Sequence, residues 1–290
     1  MSNPRNRRDR RALGSAWDTW LPARFFHVAT KDVRFDSQTE NYRPRGDQTL
    51  SRPPLTKRMP GRLLRLAKPA RAGEFGSVLL GRRTWRAFGP QPVPFAELST
   101  LLNFTAGVQA WAETRTEGFV ALKTSPSAGA RHPIETYVAA LACCEIPQGL
   151  YHYSADRHGL TRINTINRVG VRAMLPQQPW YAASGAVVFF TAVVGRTMWR
   201  YPYPRAYRAL LIECGHVCQT FCLTATWLGL APFCTMALAD SAIERKLGID
   251  GVTEIVLYVA GVGSRPTGID WAPKADRQRR SLKPHLIRSS

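Results

Sequence analysis

Three guanidiniums and a hydroxyl fall within five residues at Arg82, Arg83, Thr84 and Arg86, inside the stretch Gly81 to Gly89 (GRRTWRAFG). Such a cluster clamps a phosphate through charge-assisted, partly bidentate hydrogen bonds, and it serves equally as a solvated basic face. A second stretch, Ser125 to Pro133 (SPSAGARHP), is built of small residues, with Pro126, Ser127, Ala128 and Gly129 at its centre. Small residues let backbone lie close to a flat ligand and donate free amides to it, although the same composition suits an ordinary tight loop.

Other chemical signatures are absent. No G-x-S-x-G elbow, P-loop or H-E-x-x-H motif occurs, and Gly261-Val262-Gly263 lacks the third glycine and acidic residue of a dinucleotide fingerprint. The six histidines show no i, i+3 or i, i+4 pairing, and the six cysteines contain no C-x-x-C, so no metal site is expected. Cys214, Cys218 and Cys222 recur every four residues and read as small apolar core positions along one helical face.

Regular elements begin after residue 72. Pro94 to Thr105 places Phe95, Leu98, Leu101 and Leu102 on one helical face, with proline in the first turn. Thr136 to Ala142, Ala186 to Val194 and Glu254 to Val262 read as buried strands, and Leu150 to Tyr153 as a shorter one. Tyr207 to Leu228 predicts a long helix closed by Gly229, and Ser241 to Leu247 a short one ending at Gly248. Helices and strands without a regular βα repeat predict an α+β domain with helices packed on a central sheet.

The chain has 290 residues and a net charge of +20, which first raises nucleic acid or an anionic membrane as partner. The charge sits at the ends: +11 in residues 1–72, +5 in 265–290 and only +4 in 73–264. We therefore divide the chain into a basic, partly disordered N-terminal arm (1–72), a core domain (73–264) and a basic C-terminal extension (265–290). In the arm, Trp17, Trp20, Leu21, Phe25, Phe26 and Val28 form the apolar cluster able to dock on a core, and Arg43 to Pro54 reads as a loop. The apolar run at Ala182–Gly195 is too short to span a bilayer and Ala209–Cys234 is interrupted by polar residues, so no membrane span is expected. Absence of a signal-like segment after Met1 reads as a cytoplasmic chain with reduced thiols.

The two chemical stretches, taken with a series that follows them, resemble the nitroreductase-like flavoproteins, and within them the SagB/ThcOx-type dehydrogenases. The carriers are Arg82-Arg83-Thr84-x-Arg86-x-Phe88, then Pro126-Ser127-Ala128-Gly129 with Pro133, Glu135 and Tyr137. Gly149-Leu150-Tyr151-His152-Tyr153, Arg205-x-Tyr207-Arg208, Gly215-His216-x-x-Gln219, Gly229-Leu230 and Gly261-Val262-Gly263 follow in order. Phe26-His27 with Thr30-Lys31 matches near the start, so the resemblance spans about residues 25–265.

That resemblance implies a central mixed sheet flanked by helices, an intertwined homodimer, and FMN held at the subunit interface. It assigns Arg82, Arg83, Thr84 and Arg86 to the FMN phosphate and ribityl chain, with Arg279 and Arg280 as a terminal basic pair nearby. It assigns Pro126, Ser127, Ala128 and Gly129 to the isoalloxazine ring, usually from the other subunit. In azole-forming members a Lys-Tyr pair before the R-x-Y-R motif handles the proton; here arginine, a poor base, stands at Arg200, and the hydroxyl is that of Tyr201 or of Tyr203, both of which also suit packing in an active-site loop. His132 and His216 are read as structural, His216 in a core or dimer interface.

The function implied is FMN-dependent oxidation of a peptide or peptide-derived product, azoline to azole, beside a cyclodehydratase partner. Arginine at 200 keeps open an NAD(P)H-dependent nitroreductase or quinone-type reductase. A third reading is a non-enzymatic basic adaptor binding nucleic acid or an acidic partner through the arms; the near-neutral core disfavours nucleic acid.

Overall fold

The computed structural model describes residues 20–32, 73–115, 118–176 and 178–268, with isolated positions between 57 and 66. Trp17, the loop expected at Arg43 to Pro54, and Arg279 and Arg280 lie outside the described residues.

The sheet forms around β6 (Ala186–Val193), whose sequence AVVFFTAV is apolar on both faces because both faces are covered. Strand order is β5 (Gly159–Asn164), β4 (Gly149–Ser154), β3 (Ile134–Ala140), β6, β8 (Glu254–Gly263), β7 (Ala231–Thr235). A separate hairpin pairs β1 (Ala110–Thr114) with β2 (Gly118–Leu122). The α+β class holds, but a mixed sheet was expected and every strand ladder among the described residues is antiparallel. Among the described residues, parallel pairing is confined to the isolated bridge between Val93 and Cys143.

Alternation along the strands sends side chains into two separate cores. Val138, Val188, Phe190 and Ala260 point to one side, where α3 (Phe95–Ala106) and the long α6 (Tyr207–Trp227) cover them. Tyr137, Ala139, Val187 and Phe189 point to the other, under α4 (Arg168–Met174) and α7 (Asp240–Leu247). Phe190 meets Phe221 of α6 edge-on at 6.2 Å, a geometry worth about 1 kcal/mol beyond area burial. The expected face of α3 holds at Leu98, Leu101 and Leu102, but Phe95, the first residue of the helix, is exposed.

The remaining elements are α1 (Leu21–Thr30), α2 (Gly73–Gly81) and α5 (Val194–Arg200). From the arm, α1 docks by Trp20, Ala23 and His27, whereas Leu21, Phe25, Phe26 and Val28 stay exposed. His27 Nδ1 shares a 2.9 Å hydrogen bond with the Tyr207 hydroxyl, and Lys31 pairs with Glu244. The arm motif and the R-x-Y-R motif are therefore two halves of one contact.

Burial, with the Lys31 charge adding to it, pushes the His27 pKa from 6.5 down to about 4. The released arm takes up a proton where the docked arm does not, so the His27 contribution to docking is complete above pH 6.5 and declines as pH falls from 6.5 towards 4. The loss over that window is about 3 kcal/mol. The protection factors of the α1 amides, with the intrinsic pH dependence of exchange removed, should fall on acidification, and His27→Gln should remove that step while leaving the titrations of Asp240 and Glu244 in place.

Candidate functional site

The arginine run leaves α2 as extended chain and is tied to the sheet by the Trp85 N–H, which donates to the Pro232 carbonyl at 3.0 Å. Arg83 folds back and donates to the Leu80 and Arg82 carbonyls at 2.8 and 2.7 Å, capping the C-terminal turn of α2. The Arg86 guanidinium lies 5.9 Å from the Trp180 ring. Among the described residues no carboxylate pairs with Arg82, Arg83 or Arg86. Cations without a carboxylate partner among the described residues, beside the Thr84 hydroxyl, fit a phosphate.

The loop at Pro126 to Gly129 is held from behind. The Ala128 N–H donates to Glu213 Oε1 at 2.9 Å, and the Ser127 Oγ accepts from the His132 N–H at 2.8 Å. Ser125 and Thr220 join hydroxyls at 2.8 Å. His132 donates from Nε2 to the Ala121 carbonyl at 2.8 Å and is bound at its own carbonyl by Arg196, so it braces the loop against β2. Gly129 has φ +60°, and a Cβ there would lie 3.0 Å from the Tyr201 hydroxyl and 3.5 Å from Arg200 Cγ. Backbone conformation and close approach both require glycine at that position.

Tyr201, Arg200 and the loop thus come together. Tyr203, half exposed, packs edge-on against Tyr201. The arginine run does not join them. It lies beside Thr226 at one end of α6, whereas the loop contacts Glu213 near the other, thirteen residues or about 20 Å away. His216, expected in a core or interface, is exposed in the single chain.

Glu213 went unrecognised in the sequence; its only signal was one carboxylate inside the apolar run YRALLIECGHVC. Burial pushes its pKa up, against the Ser127 and Ala128 hydrogen bonds. Its stabilising contribution is therefore complete below the ordinary value near 4.5 and declines as pH rises through the folded value. Glu213→Gln, which keeps an acceptor and carries no charge, should be at least as stable as the native chain at neutral pH. Glu213→Ala strands the Ala128 N–H and should cost about 1–3 kcal/mol in urea unfolding.

A cleft of about 640 Å³ opens beside the loop, lined by Trp111, Lys123, Glu135, His152, Arg196 and Trp199 among others. Burial disfavours the Glu135 carboxylate, but the His152 hydrogen bond at 2.8 Å and the Arg196 guanidinium outweigh it and hold its pKa below the ordinary range. Burial likewise lowers the Lys123 pKa.

The nitroreductase family pattern matches residues 79–264, nearly two-thirds of the chain. This protein belongs to the nitroreductase family. Over 174 residues it is 35% identical to a protein described as a nitroreductase from Methanocaldococcus jannaschii, covering 59% of this chain and 83% of that one. It is 31% identical over 180 residues to the trifolitoxin-processing protein TfxB of Rhizobium leguminosarum bv. trifolii, covering 58% of this chain but only 48% of that protein. The fold also matches a chain of the E. coli microcin synthetase McbBCD complex with truncated pro-MccB17 bound. That match has a TM-score of 0.60 at 18% identity and covers 85% of this chain and 93% of the other. Membership makes the protein an oxidoreductase of this family, and no described helix is long and apolar enough to cross a membrane.

Proposed function

We propose that this protein is an FMN-dependent dehydrogenase of the SagB type that oxidises a peptide or peptide-derived product, azoline to azole, alongside a cyclodehydratase. The observation that carries the reading is Tyr201 held against Gly129. A proton-handling hydroxyl lies 3.0 Å from where a Cβ would stand, on the loop expected to face the flavin ring. Its likeness to a toxin-processing protein supports a peptide as substrate.

Bound FMN supplies the two-electron redox chemistry. Arg82, Arg86 and the Thr84 hydroxyl hold its phosphate end, and Arg83 keeps that backbone in place. Glu213 and Ser127 set the loop's conformation. Tyr201 manages a proton at its hydroxyl oxygen, while Arg200, always charged, orients substrate through hydrogen bonds rather than taking a proton.

A second copy completes the site. The roughly 20 Å along α6 between Thr226, beside Gly81 at the start of the arginine run, and Glu213, beside the loop, suits donation of the loop across a dimer interface. The outer face of α6 offers Leu211, Ile212, Gly215, His216, Gln219 and Trp227 in an exposed stripe, with open space around Gly215 for close helix approach.

The purified chain should carry or take up FMN, and Tyr201→Phe should keep flavin while losing about 10²–10⁴-fold in azoline oxidation. Protein that takes up no FMN would overturn the reading. Arginine at position 200 favours one competing activity: rapid bleaching of the flavin by NADPH with turnover of a nitroaromatic, and none of an azoline peptide, makes the protein a nitroreductase instead.

A further inference from the structure

Cys218 and Cys222 lie one turn apart on the inward face of α6, and Cys234 of β7 faces them across the helix–strand contact. All three Sγ atoms fall within 4.8 Å of one another. Cys218 and Cys222 are buried, whereas Cys234 is partly exposed and gives the cluster a route of entry. Cys214, the first member of the helical stripe, is buried but stands outside the group. Nothing in the flavin reading uses these thiols.

We propose that Cys218, Cys222 and Cys234 form a binding site for a divalent thiophilic metal ion of the zinc and cadmium type. Metal–sulfur bonds near 2.3 Å set the sulfurs roughly 3.8–4.0 Å apart, so the cluster contracts by less than about 1 Å to close on the ion. The i, i+4 pair supplies two ligands from one rigid helix, and the antiparallel β7–β8 ladder fixes the third. All three protein ligands are sulfur, which selects soft ions over magnesium or calcium.

Charge and outer contacts are consistent with this occupant. On binding, the three thiols release their protons to solvent, leaving three thiolates around a divalent ion and one net negative charge. The Arg82 guanidinium, whose field reaches both Cys222 and Cys234, offsets that charge. The Tyr258 hydroxyl donates to Cys234 Sγ at 3.4 Å, the kind of outer hydrogen bond that orients a ligating sulfur. Water fills the fourth position, with the Tyr258 hydroxyl remaining in the outer contact to Cys234.

The test is titration of the reduced, chelator-treated full-length protein with cadmium chloride, read by thiolate-to-metal charge-transfer absorbance in the ultraviolet and by the thermal midpoint. One cadmium per chain should saturate the band, zinc should compete for it, and the midpoint should rise. Cys234→Ser should abolish both signals, while Cys143→Ser with Cys144→Ser, at the other cysteine pair, should keep both. Tyr258→Phe should weaken binding roughly 10–100-fold. No band at saturating cadmium, a band that survives Cys234→Ser, or one lost with Cys143 and Cys144 overturns the proposal. None of these readouts depends on flavin.

Discussion

Alanine at both Arg82 and Arg86 should leave a folded protein that no longer retains flavin. Neither guanidinium has a carboxylate partner among the described residues, so no carboxylate there competes with a bound phosphate. A phosphate is the natural counter-charge. Each charge-assisted hydrogen bond contributes about 1.5–3 kcal/mol, a factor of roughly 10 to 150 in affinity. Adjacent residues sharing one ligand do not add fully, so the double variant should bind FMN roughly 10²–10⁴-fold more weakly. Fold should survive because the Trp85 N–H still anchors the segment to Pro232 and Arg83 still caps α2. Flavin fluorescence titration against the thermal midpoint separates the two effects. An unchanged FMN affinity would falsify the assignment of this run to the phosphate.

The largest effect on stability is expected at Gly261→Ala. A Cβ at this position in β8 would lie 2.2 Å from Phe233 Cζ and 2.7 Å from the Ala186 carbonyl oxygen. Phe233 cannot retreat, because Tyr181 stacks on it at 4.1 Å and Phe88 and Trp180 flank it. Ala186 is itself paired into the ladder with Val262. Overpacking of this kind costs about 3 kcal/mol, near the upper end of the usual range, which is a large share of a 5–15 kcal/mol total. The thermal midpoint should drop by roughly 6–12 °C. A change of only a degree or two would mean that the Phe233 stack is softer than its geometry implies. Gly263 makes the related case, since a Cβ there meets Phe88 Cδ1 at 2.7 Å. Two separated motifs in the sequence, the arginine run ending in Phe88 and the glycine pair, are thus one packed contact.

Much of the frame was legible in the sequence. The strand at β6 and the helix at α6 could be read because their patterns are long and their apolar faces wide. β1, β2, β5 and β7 could not, because the hairpin and the β5 edge strand are half exposed and carry no clean alternation, and β7 is only five residues long. The candidate site shows the same division. Arg82, Thr84 and the Pro126–Gly129 loop announced themselves by residue type and order. Glu213, Lys123 and Arg196 did not, because each is a single charge whose meaning depends on what the fold sets beside it.

What the sequence by itself determined was the set of local units: which long segments become helix or strand, where glycine closes a helix, and where cations cluster. These follow from backbone stereochemistry and hydrophobic periodicity over a few residues. The tertiary structure alone decided which units meet. It tied His27 to Tyr207 across 180 residues and placed Tyr201 against Gly129. It also closed a triangle of thiols from a helix and a strand, and set the arginine run and the loop at separate points along α6. Those distances come from the packing of whole elements on a common sheet, and no local pattern encodes them.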